Sequence, residues 1–410
     1  MAAWSPPTDE LAGWDATETA ERVGSGDVSA TEVVSAAITR AESAAPLNAV
    51  VTSAYEQALA AAGIVEGPLA GVPTFIKDLF DLAGVRTGFG SRVLPDYVPA
   101  VNDSFVDLTV GTGLIPLGKS STPEFGLTGT TEPLCHPPTR NPWDLERSSG
   151  GSSGGAGALV AGRVVPIAHG SDGGGSIRIP AGVNGVVGLK PSRGRYANET
   201  GDKLPVNILA SGVLTRTVRD QALFHGSIDS TDGSADLPRV GVVNAPPDRP
   251  LRIGVFTDNP IVATDPDVVM AVRRTADVLA GLGHEVADVD PIAGEEFVEY
   301  FLAYWGYLAF MVRRLGKLTI DRRFDGRAME PWTHGLVSYF TRRIHRFPAI
   351  VRWLRAFEAD YADLMEDWDV ILCPTTASAA PPIGHLAIDE PFGTHLERIT
   401  AFVPYTPPWN

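Results

Sequence analysis

Two short runs rich in glycine and serine lie between apolar segments, and this arrangement restricts what the chain can fold into. Residues 150–155 carry Ser152, and residues 173–178 carry Ser176. A glycine and serine run on its own is typical of a flexible linker. Here the segments that follow both runs are apolar and have the composition of buried structure. We therefore expect two ordered turns in which glycine lets other backbone approach a serine closely.

An apolar segment upstream of both runs carries one lysine, Lys77. Burial disfavours a charged ammonium, so we expect a lowered pKa and an amine that can accept a proton. A serine hydroxyl needs such a base to act as a nucleophile near neutral pH. The sequence thus predicts a hydrolytic centre built from Lys77, Ser152 and Ser176. The apolar neighbours of the lysine are Phe75, Ile76, Leu79 and Phe80.

The separations between these three residues, together with several shorter motifs, resemble the amidase signature family of serine hydrolases. The resemblance runs from about residue 15 to the end of the chain. Residues 131–133, 140–143 and 168–170 are most similar to the branch that contains the nylon-oligomer (6-aminohexanoate) cyclic dimer hydrolase. The other matching motifs are residues 117–120, 123–126, 140–143 and 188–191.

The resemblance implies both a fold and a set of roles. The fold is α/β, with a central mixed β-sheet flanked by helices on both faces. In a Ser-cisSer-Lys centre of this type, Ser176 is the nucleophile, Ser152 is the bridging serine and Lys77 is the base and acid. No cofactor and no metal are expected. The oxyanion and substrate-binding residues would be Gly173, Gly174, Gly175 and Ser176.

The resemblance also implies one amidase signature domain over residues 1–410. Its core motifs lie within residues 71–195, and a variable helical insertion of about residues 295–368 would wall the substrate pocket. Relatives continue beyond a segment like residues 402–410 into a further strand and helix. We therefore expect a chain that is truncated at its C-terminus relative to the family, with all catalytic residues before the break.

Local patterns predict alternating helices and strands. Ser29 and Glu32 form a capping box that opens a helix. We expect strands at residues 71–76, 115–118, 164–168 and 185–190, and helices at residues 101–113 and 154–162. Further along, a strand is predicted at residues 251–256 and a helix at residues 265–282.

The insertion is rich in aromatic residues whose role the sequence leaves open. Their spacing of three and four is that of ordinary helix packing, but some of them could line an acyl pocket. In that case the substrate would carry an aromatic or extended aliphatic acyl group. The aromatic residues are Phe297, Tyr300, Phe301, Tyr304, Trp305, Tyr307 and Phe310.

Two other interpretations of the serine runs are weaker. Residues 150–154 satisfy the G-x-S-x-G pattern of an α/β-hydrolase nucleophile elbow, which would make Ser152 the nucleophile. That elbow needs a preceding strand, and the sequence predicts none there. A phosphate-binding loop is disfavoured because neither run ends in Gly-Lys-Ser or Gly-Lys-Thr.

Composition limits the partners. The net charge of −16 disfavours binding to nucleic acid. The two cysteines, Cys135 and Cys373, are far apart and suggest neither a zinc site nor a disulfide framework. The first residues lack the pattern of a signal peptide, and no apolar run is long enough for a membrane span. We expect a cytoplasmic enzyme that binds a small-molecule amide, does not dock to membranes and can form a homodimer.

The leading prediction is therefore an amidase that releases a carboxylate and an amine or ammonia through an acyl-Ser176 intermediate. Two alternatives remain open. One is the glutamine-hydrolysing subunit of a tRNA-dependent amidotransferase, which shares these motifs. The other is a truncated, non-catalytic relative that acts as a binding protein.

Overall fold

The computed structural model describes residues 3–196, 201–232 and 237–410. Within these ranges the α-helices are α1 (Ala16–Ser25), α2 (Ala30–Ser43), α3 (Tyr55–Ala61), α4 (Ser104–Gly111), α5 (Gly154–Ala161), α6 (Arg178–Asn184), α7 (Val218–Asp232), α8 (Pro266–Gly281), α9 (Glu295–Thr319), α10 (Pro331–Thr341), α11 (Phe347–Asp367) and α12 (Phe392–Phe402). The strands are β1 (Val50–Ser53), β2 (Pro73–Lys77), β3 (Ile115–Ser120), β4 (Arg140–Asn141), β5 (Asp144–Ser148), β6 (Ile167–Asp172), β7 (Val187–Gly188), β8 (Ala210–Thr215), β9 (Arg252–Val255), β10 (Glu285–Asp288) and β11 (Val370–Leu372).

The strands form a mixed α/β architecture, which confirms the predicted fold class. In the sheet β1-β3-β2, strand β3 runs parallel to β2 and antiparallel to β1. Strand β8 lies between β6 and β7 and is antiparallel to both. Strand β9 pairs in parallel with β10 and β11, and β4 and β5 form a separate antiparallel pair. Hydrogen-bonded ladders therefore join the described strands into several small sheets of mixed direction.

The first two of these sheets adjoin where the C-terminal end of β2 meets β6. Every residue of β2 is buried, so this strand runs through the interior. The backbone N–H of Lys77, its last residue, donates to His169 Nδ1 in β6 over 3.3 Å. Helix α5 contributes buried Ala156, Leu159 and Val160 to the core that covers this region. The junction places Lys77 in the centre of the protein.

Most elements predicted from local patterns are present. Helix α2 begins with the expected capping box, in which Ser29 and Glu32 exchange side-chain and backbone hydrogen bonds. Strands β2 and β3 and helices α4, α5 and α8 lie where they were expected. Two boundaries differ: β6 begins at Ile167, later than predicted, and the strand expected at residues 185–190 is reduced to β7. Short stretches with few ladder partners are where local pattern carries least information.

The predicted helical insertion is present as α9, α10 and α11, and these helices pack on one another. Buried Tyr304 of α9 connects the insertion to the core through its hydroxyl, which donates to the carbonyl of Val206 over 2.6 Å. Leu336 and Phe340 of α10 are buried beside α9. Among the described residues, no helix combines the length and apolar character needed to cross a membrane.

Candidate active site

A cavity of about 120 Å³ opens beside the second glycine and serine run. Ser176 lies at its floor. Helix α9 supplies one wall, residues 127–129 supply another, and α12 with the chain after it closes the third side. Most of the side chains that line it are apolar or aromatic, so the cavity suits an apolar group next to the serine.

Ser176 lies between the end of β6 and the start of α6. The residue is 7% exposed. Its carbonyl accepts a hydrogen bond from the N–H of Ser153 over 3.2 Å, which connects the two serine runs. Within the described part of the chain, its hydroxyl makes no hydrogen bond, although it lines the cavity. The hydroxyl is therefore placed to meet a bound molecule.

Lys77 is fully buried behind the serine runs. Its Nζ lies 2.7 Å from Ser152 Oγ, 3.0 Å from Ser171 Oγ and 3.3 Å from the Ser171 carbonyl oxygen. Burial lowers the pKa of the Lys77 amine to about 7, while the negative charge of Asp172 opposes this shift. The neutral and charged forms are thus both accessible near neutral pH, as the sequence predicts.

Ser152 is 2% exposed and lies at the turn into α5. The peptide bond between Gly151 and Ser152 is cis, as the family resemblance implies. The structure brings Ser152 onto the lysine, but it records no hydrogen bond between Ser152 and Ser176 within the described residues. The first link of the predicted Lys77–Ser152–Ser176 relay is present, and the second is open.

The predicted oxyanion donors are only partly free. The N–H of Gly175 already donates to Asp172 Oδ1 over 2.7 Å. In the described structure the N–H groups of Gly173, Gly174 and Ser176 have no acceptor. The expected set of four donors is therefore corrected to three, because the Asp172 carboxylate has taken the fourth.

Asp172, which the sequence did not single out, organises this loop from behind. It is fully buried. Its carboxylate also accepts from the N–H of Ile177 over 3.1 Å and from the Arg178 guanidinium at 2.8 and 2.9 Å. Burial alone would raise the pKa of the carboxyl, but Arg178 and hydrogen bonds hold it well below its usual range. An acidic residue directly before three glycines, with an arginine beyond them, is the signal that could have identified it.

Other contacts with the site also escaped the sequence analysis. Thr406, far along the chain, donates from Oγ1 to the Gly174 carbonyl over 2.8 Å. Ser171 provides two of the three oxygens around the Lys77 amine. The period-two alternation of β6 could have pointed to Ser171, since it shares a face of that strand with His169. No local signal connects Thr406 to the loop.

The stated reason for disfavouring the nucleophile elbow is wrong. Strand β5 does precede Ser152, and α5 follows it, so the strand–turn–helix order of an elbow is present. Strand β5 was missed because most of its side chains are polar and it pairs only with the short β4 and the 380–383 region. The elbow fails on other grounds: Ser152 is buried, and its hydroxyl contacts Lys77 and no histidine in the described residues.

The aromatic residues of α9 divide between the two roles that the sequence left open. Phe297, Phe301 and Trp305 line the cavity. Tyr304 and Tyr307 face the other way and pack in the core. Among the described residues, no group of three or more His, Cys, Asp or Glu is placed to hold a metal ion.

Comparison with known proteins identifies similar chains. The family model described as Amidase matches residues 32–410. The putative amidase AmiC of Mycobacterium tuberculosis is 42% identical over 408 residues, which are 98% of this chain and 86% of AmiC. The 6-aminohexanoate-cyclic-dimer hydrolase of Paenarthrobacter ureafaciens is 36% identical over 95% of this chain and 83% of its own length.

Solved structures agree with this assignment. The structure of 6-aminohexanoate cyclic dimer hydrolase complexed with substrate matches with a TM-score of 0.86 and 32% identity, over 98% of this chain and 88% of the other. A more distant relative in sequence comes from the glutamyl-tRNA(Gln) amidotransferase of Acidothermus cellulolyticus. It is 33% identical over 93% of this chain and 83% of its own length.

Proposed function

This chain belongs to the amidase family of amide C–N hydrolases, and from that premise we propose that it cleaves a carboxamide or an amide-linked small molecule or oligomer through an acyl-Ser176 intermediate. The products are a carboxylate and an amine or ammonia. The observation that carries the proposal is the position of the Ser176 hydroxyl, at the floor of an apolar cavity with the Lys77–Ser152 pair behind it.

The base of the reaction is the Lys77 amine. With a pKa of about 7, roughly half of it is neutral near pH 7, so it can take a proton without a large penalty. Ser152 passes the proton from Ser176 to Lys77 as Ser176 attacks the amide carbonyl. The Lys77 ammonium then returns the proton through Ser152 to the leaving nitrogen, which departs as a neutral amine.

The relay must close between the two serines before this step. Catalytic hydrogen bonds are often open in a free enzyme and tighten when substrate binds. The backbone bond from Ser153 to the Ser176 carbonyl already holds the two runs together, so we expect rotation of a serine side chain to close the relay. After the amine leaves, water attacks the acyl-enzyme through the same relay.

The developing oxyanion is stabilised by the N–H groups of Gly173, Gly174 and Ser176. Preorganised backbone donors of this kind act strongly because they need no reorganisation during the reaction. The Asp172 carboxylate contributes indirectly, because it fixes Gly175 and Ile177 on either side of Ser176.

The acyl part of the substrate occupies the apolar cavity. Phe297, Phe301 and Trp305 form one wall, and Ile179 and Leu302 add aliphatic surface. A charged acyl group would lose its hydration there without gaining a partner. The preferred substrates are therefore amides of aromatic or aliphatic acids.

Partition of the acyl-enzyme tests this proposal. Anilides and simple amides of one aliphatic acid are hydrolysed in the presence of hydroxylamine. A common acyl-Ser176 intermediate gives the same ratio of hydroxamate to acid from every leaving group. A ratio that depends on the leaving group, or turnover that survives Ser176→Ala, would refute it.

The amidotransferase alternative has less support, since the relative of that name is less similar than AmiC. Location in the cytoplasm, a homodimer and the extent of a single domain over residues 1–410 stay predictions. Gel filtration with light scattering measures the oligomeric state.

A further inference from the structure

Gly173 is held differently from the rest of the glycine loop. The N–H of Gly175 donates to Asp172, and the carbonyl of Gly174 accepts from Thr406. Within the described residues, neither backbone group of Gly173 makes a hydrogen bond. Its position therefore depends on what packs against it.

Two side chains occupy the space above Gly173. A Cβ placed on this residue would lie 2.8 Å from Leu209 Cδ2 and 3.3 Å from Trp305 Cζ3. The next glycine is covered in the same way, because a Cβ on Gly174 would lie 3.1 Å from Phe301 Cζ. The wall of the cavity thus rests directly on the loop that carries the free N–H groups.

Trp305 is itself firmly placed. Its indole Nε1 donates to the carbonyl of Leu127 over 3.0 Å. Its ring stacks on Phe301 at a centroid distance of 5.7 Å and an interplanar angle of 19°. Phe301 stacks in turn on Phe297 at 5.5 Å and 18°. A ring fixed at both its edge and its face can serve as a support for a neighbouring loop.

We propose that Trp305 is a positioning residue for the oxyanion loop: its indole supplies, from helix α9, the packing that Gly173 lacks because it has no side chain. This inference rests on the proposed function, in which the Gly173 N–H is one of the three oxyanion donors. A donor that drifts by a fraction of an ångström stabilises the transition state less.

The inference predicts that Trp305 affects the chemical step as well as binding. A residue that only lines an acyl pocket changes affinity according to acyl size. A residue that positions a donor changes the rate of reaction at saturation, whatever the acyl group. The two roles can therefore be separated by a rate constant and a binding constant measured on the same enzyme.

The experiment uses phosphonylation of Ser176 by two alkyl fluorophosphonates, one with a short chain and one with a long chain. The phosphoryl oxygen of the probe occupies the place of the oxyanion, so no natural substrate needs to be known. The limiting rate constant and the half-saturating concentration are measured for the wild type, Trp305→Phe, Gly173→Ala and the double variant. Gly173 has no positive φ, so alanine there tests space alone.

We expect Trp305→Phe to lower the limiting rate about tenfold with both probes, because the shorter ring leaves the loop unsupported. Gly173→Ala alone is expected to lower it about fivefold, because the new methyl group crowds Leu209 and Trp305. In the double variant the methyl group fills the space that the indole left. The rate is then expected to return to within about threefold of the wild type, a strong positive coupling.

Trp332→Phe is the matched control. Its indole also donates to the Leu127 carbonyl, over 2.7 Å, and it lines the same cavity. It is not among the atoms nearest to Gly173. Gly173→Ala should therefore give no rescue in the Trp332→Phe background. Melting curves by circular dichroism confirm that each variant is folded at the assay temperature.

The outcomes separate the two levels of argument. Failure of the probe to modify Ser176 in the wild type would overturn the proposed function and this inference with it. Modification of Ser176 with single effects that simply multiply in the double variant would overturn the inference alone. A change only in the half-saturating concentration, graded by chain length, would also overturn it and leave Trp305 as a wall of the pocket.

Discussion

The Lys77 amine sits among three oxygens, and two of them belong to hydroxyl groups. Ser152 Oγ and Ser171 Oγ can each accept from an ammonium or donate to a neutral amine, while the Ser171 carbonyl only accepts. The same positions therefore serve both protonation states. A proton can arrive and leave without rearrangement of the side chains around it.

Burial of this lysine is expected to cost stability at acidic and neutral pH. Its native pKa of about 7 lies below the ordinary value of 10.5, so the unfolded chain binds the extra proton between these values. The cost is full below about pH 7 and disappears as the pH rises towards 10.5. It is on the order of a few kcal/mol.

Lys77→Met should therefore stabilise the fold and abolish activity. At about pH 6 we expect a higher melting temperature than for the wild type and a turnover at least about a thousandfold lower. The difference in melting temperature should shrink as the pH approaches about 10. Lys119→Met is the contrasting variant, since it leaves the buried Asp78 without its cation and should destabilise the protein. An active or less stable Lys77→Met protein under the acidic condition would contradict this account.

The two serines of the doublet are expected to differ in their effect on catalysis. Ser152→Ala removes the group next to the Lys77 amine and should lower kcat by roughly a thousandfold. Ser153→Ala removes only a weak hydrogen bond at 3.3 Å to the backbone of Ser171 and should lower kcat by less than about tenfold. Steady-state kinetics on one neutral amide rank the variants, and the reverse order would show that the wrong serine has been given the bridging role.

Among single residues, the sequence identified Lys77, Ser152 and Ser176, because each is marked locally by apolar or glycine neighbours. Asp172 was not identified, although it contacts the same loop. Its role depends on Arg178 and on backbone N–H groups that the turn brings around it. Sequence patterns do not show where the hydrogen atoms of a turn will point.

Among the elements, the loop between β6 and α6 depends most on one side chain. Asp172, the last residue of β6, holds the N–H groups on either side of Ser176. The same carboxylate raises the pKa of Lys77 against the effect of burial. Loop geometry and base strength are thus coupled through a single charge.

Asp172→Asn should shift the pH dependence of activity. In the wild type, kcat/KM is expected to rise with pH through an apparent pKa of about 7 as Lys77 becomes neutral. Without the carboxylate the ammonium is less stable, so this limb moves to lower pH. Stability should fall by about 3 kcal/mol, because Arg178 loses its buried partner.

Asp220→Asn provides the control for this prediction. Asp220 is also a buried carboxylate, but it accepts from the N–H groups of Ala16 and Thr17 at the start of α1. We expect it to lose stability with no shift of the pH profile. An unchanged profile in Asp172→Asn would show that its charge does not act on Lys77.

Elements were predictable from sequence where the pattern was strong. The capping box of α2 and the buried strand β2 are examples, since both are set by neighbouring residues. Strand β5 was missed because its neighbours come from distant parts of the chain. The N–H of Ser148 donates to the carbonyl of Pro381, a partner that no local pattern reveals.

The complete site is assembled from distant segments of the chain. Leu127 lies early in the sequence, Trp305 lies in the insertion, and Thr406 lies near the end of the described residues, yet all three contact the cavity or its loop. The sequence left open whether α9 packs in the core or lines a pocket. Helical spacing gives the face of a residue but not what that face meets, and here opposite faces of α9 meet different surroundings.

The central claim is that Ser176, supported by Lys77 and Ser152, is the nucleophile of a folded amide hydrolase. The most direct test is to label the purified chain with a fluorophosphonate and to locate the adduct by peptide mass mapping. The account predicts a single adduct on Ser176, lost in Ser176→Ala, strongly slowed in Lys77→Met and absent after unfolding in urea. An adduct on Ser152, or no adduct on the folded chain, would contradict it.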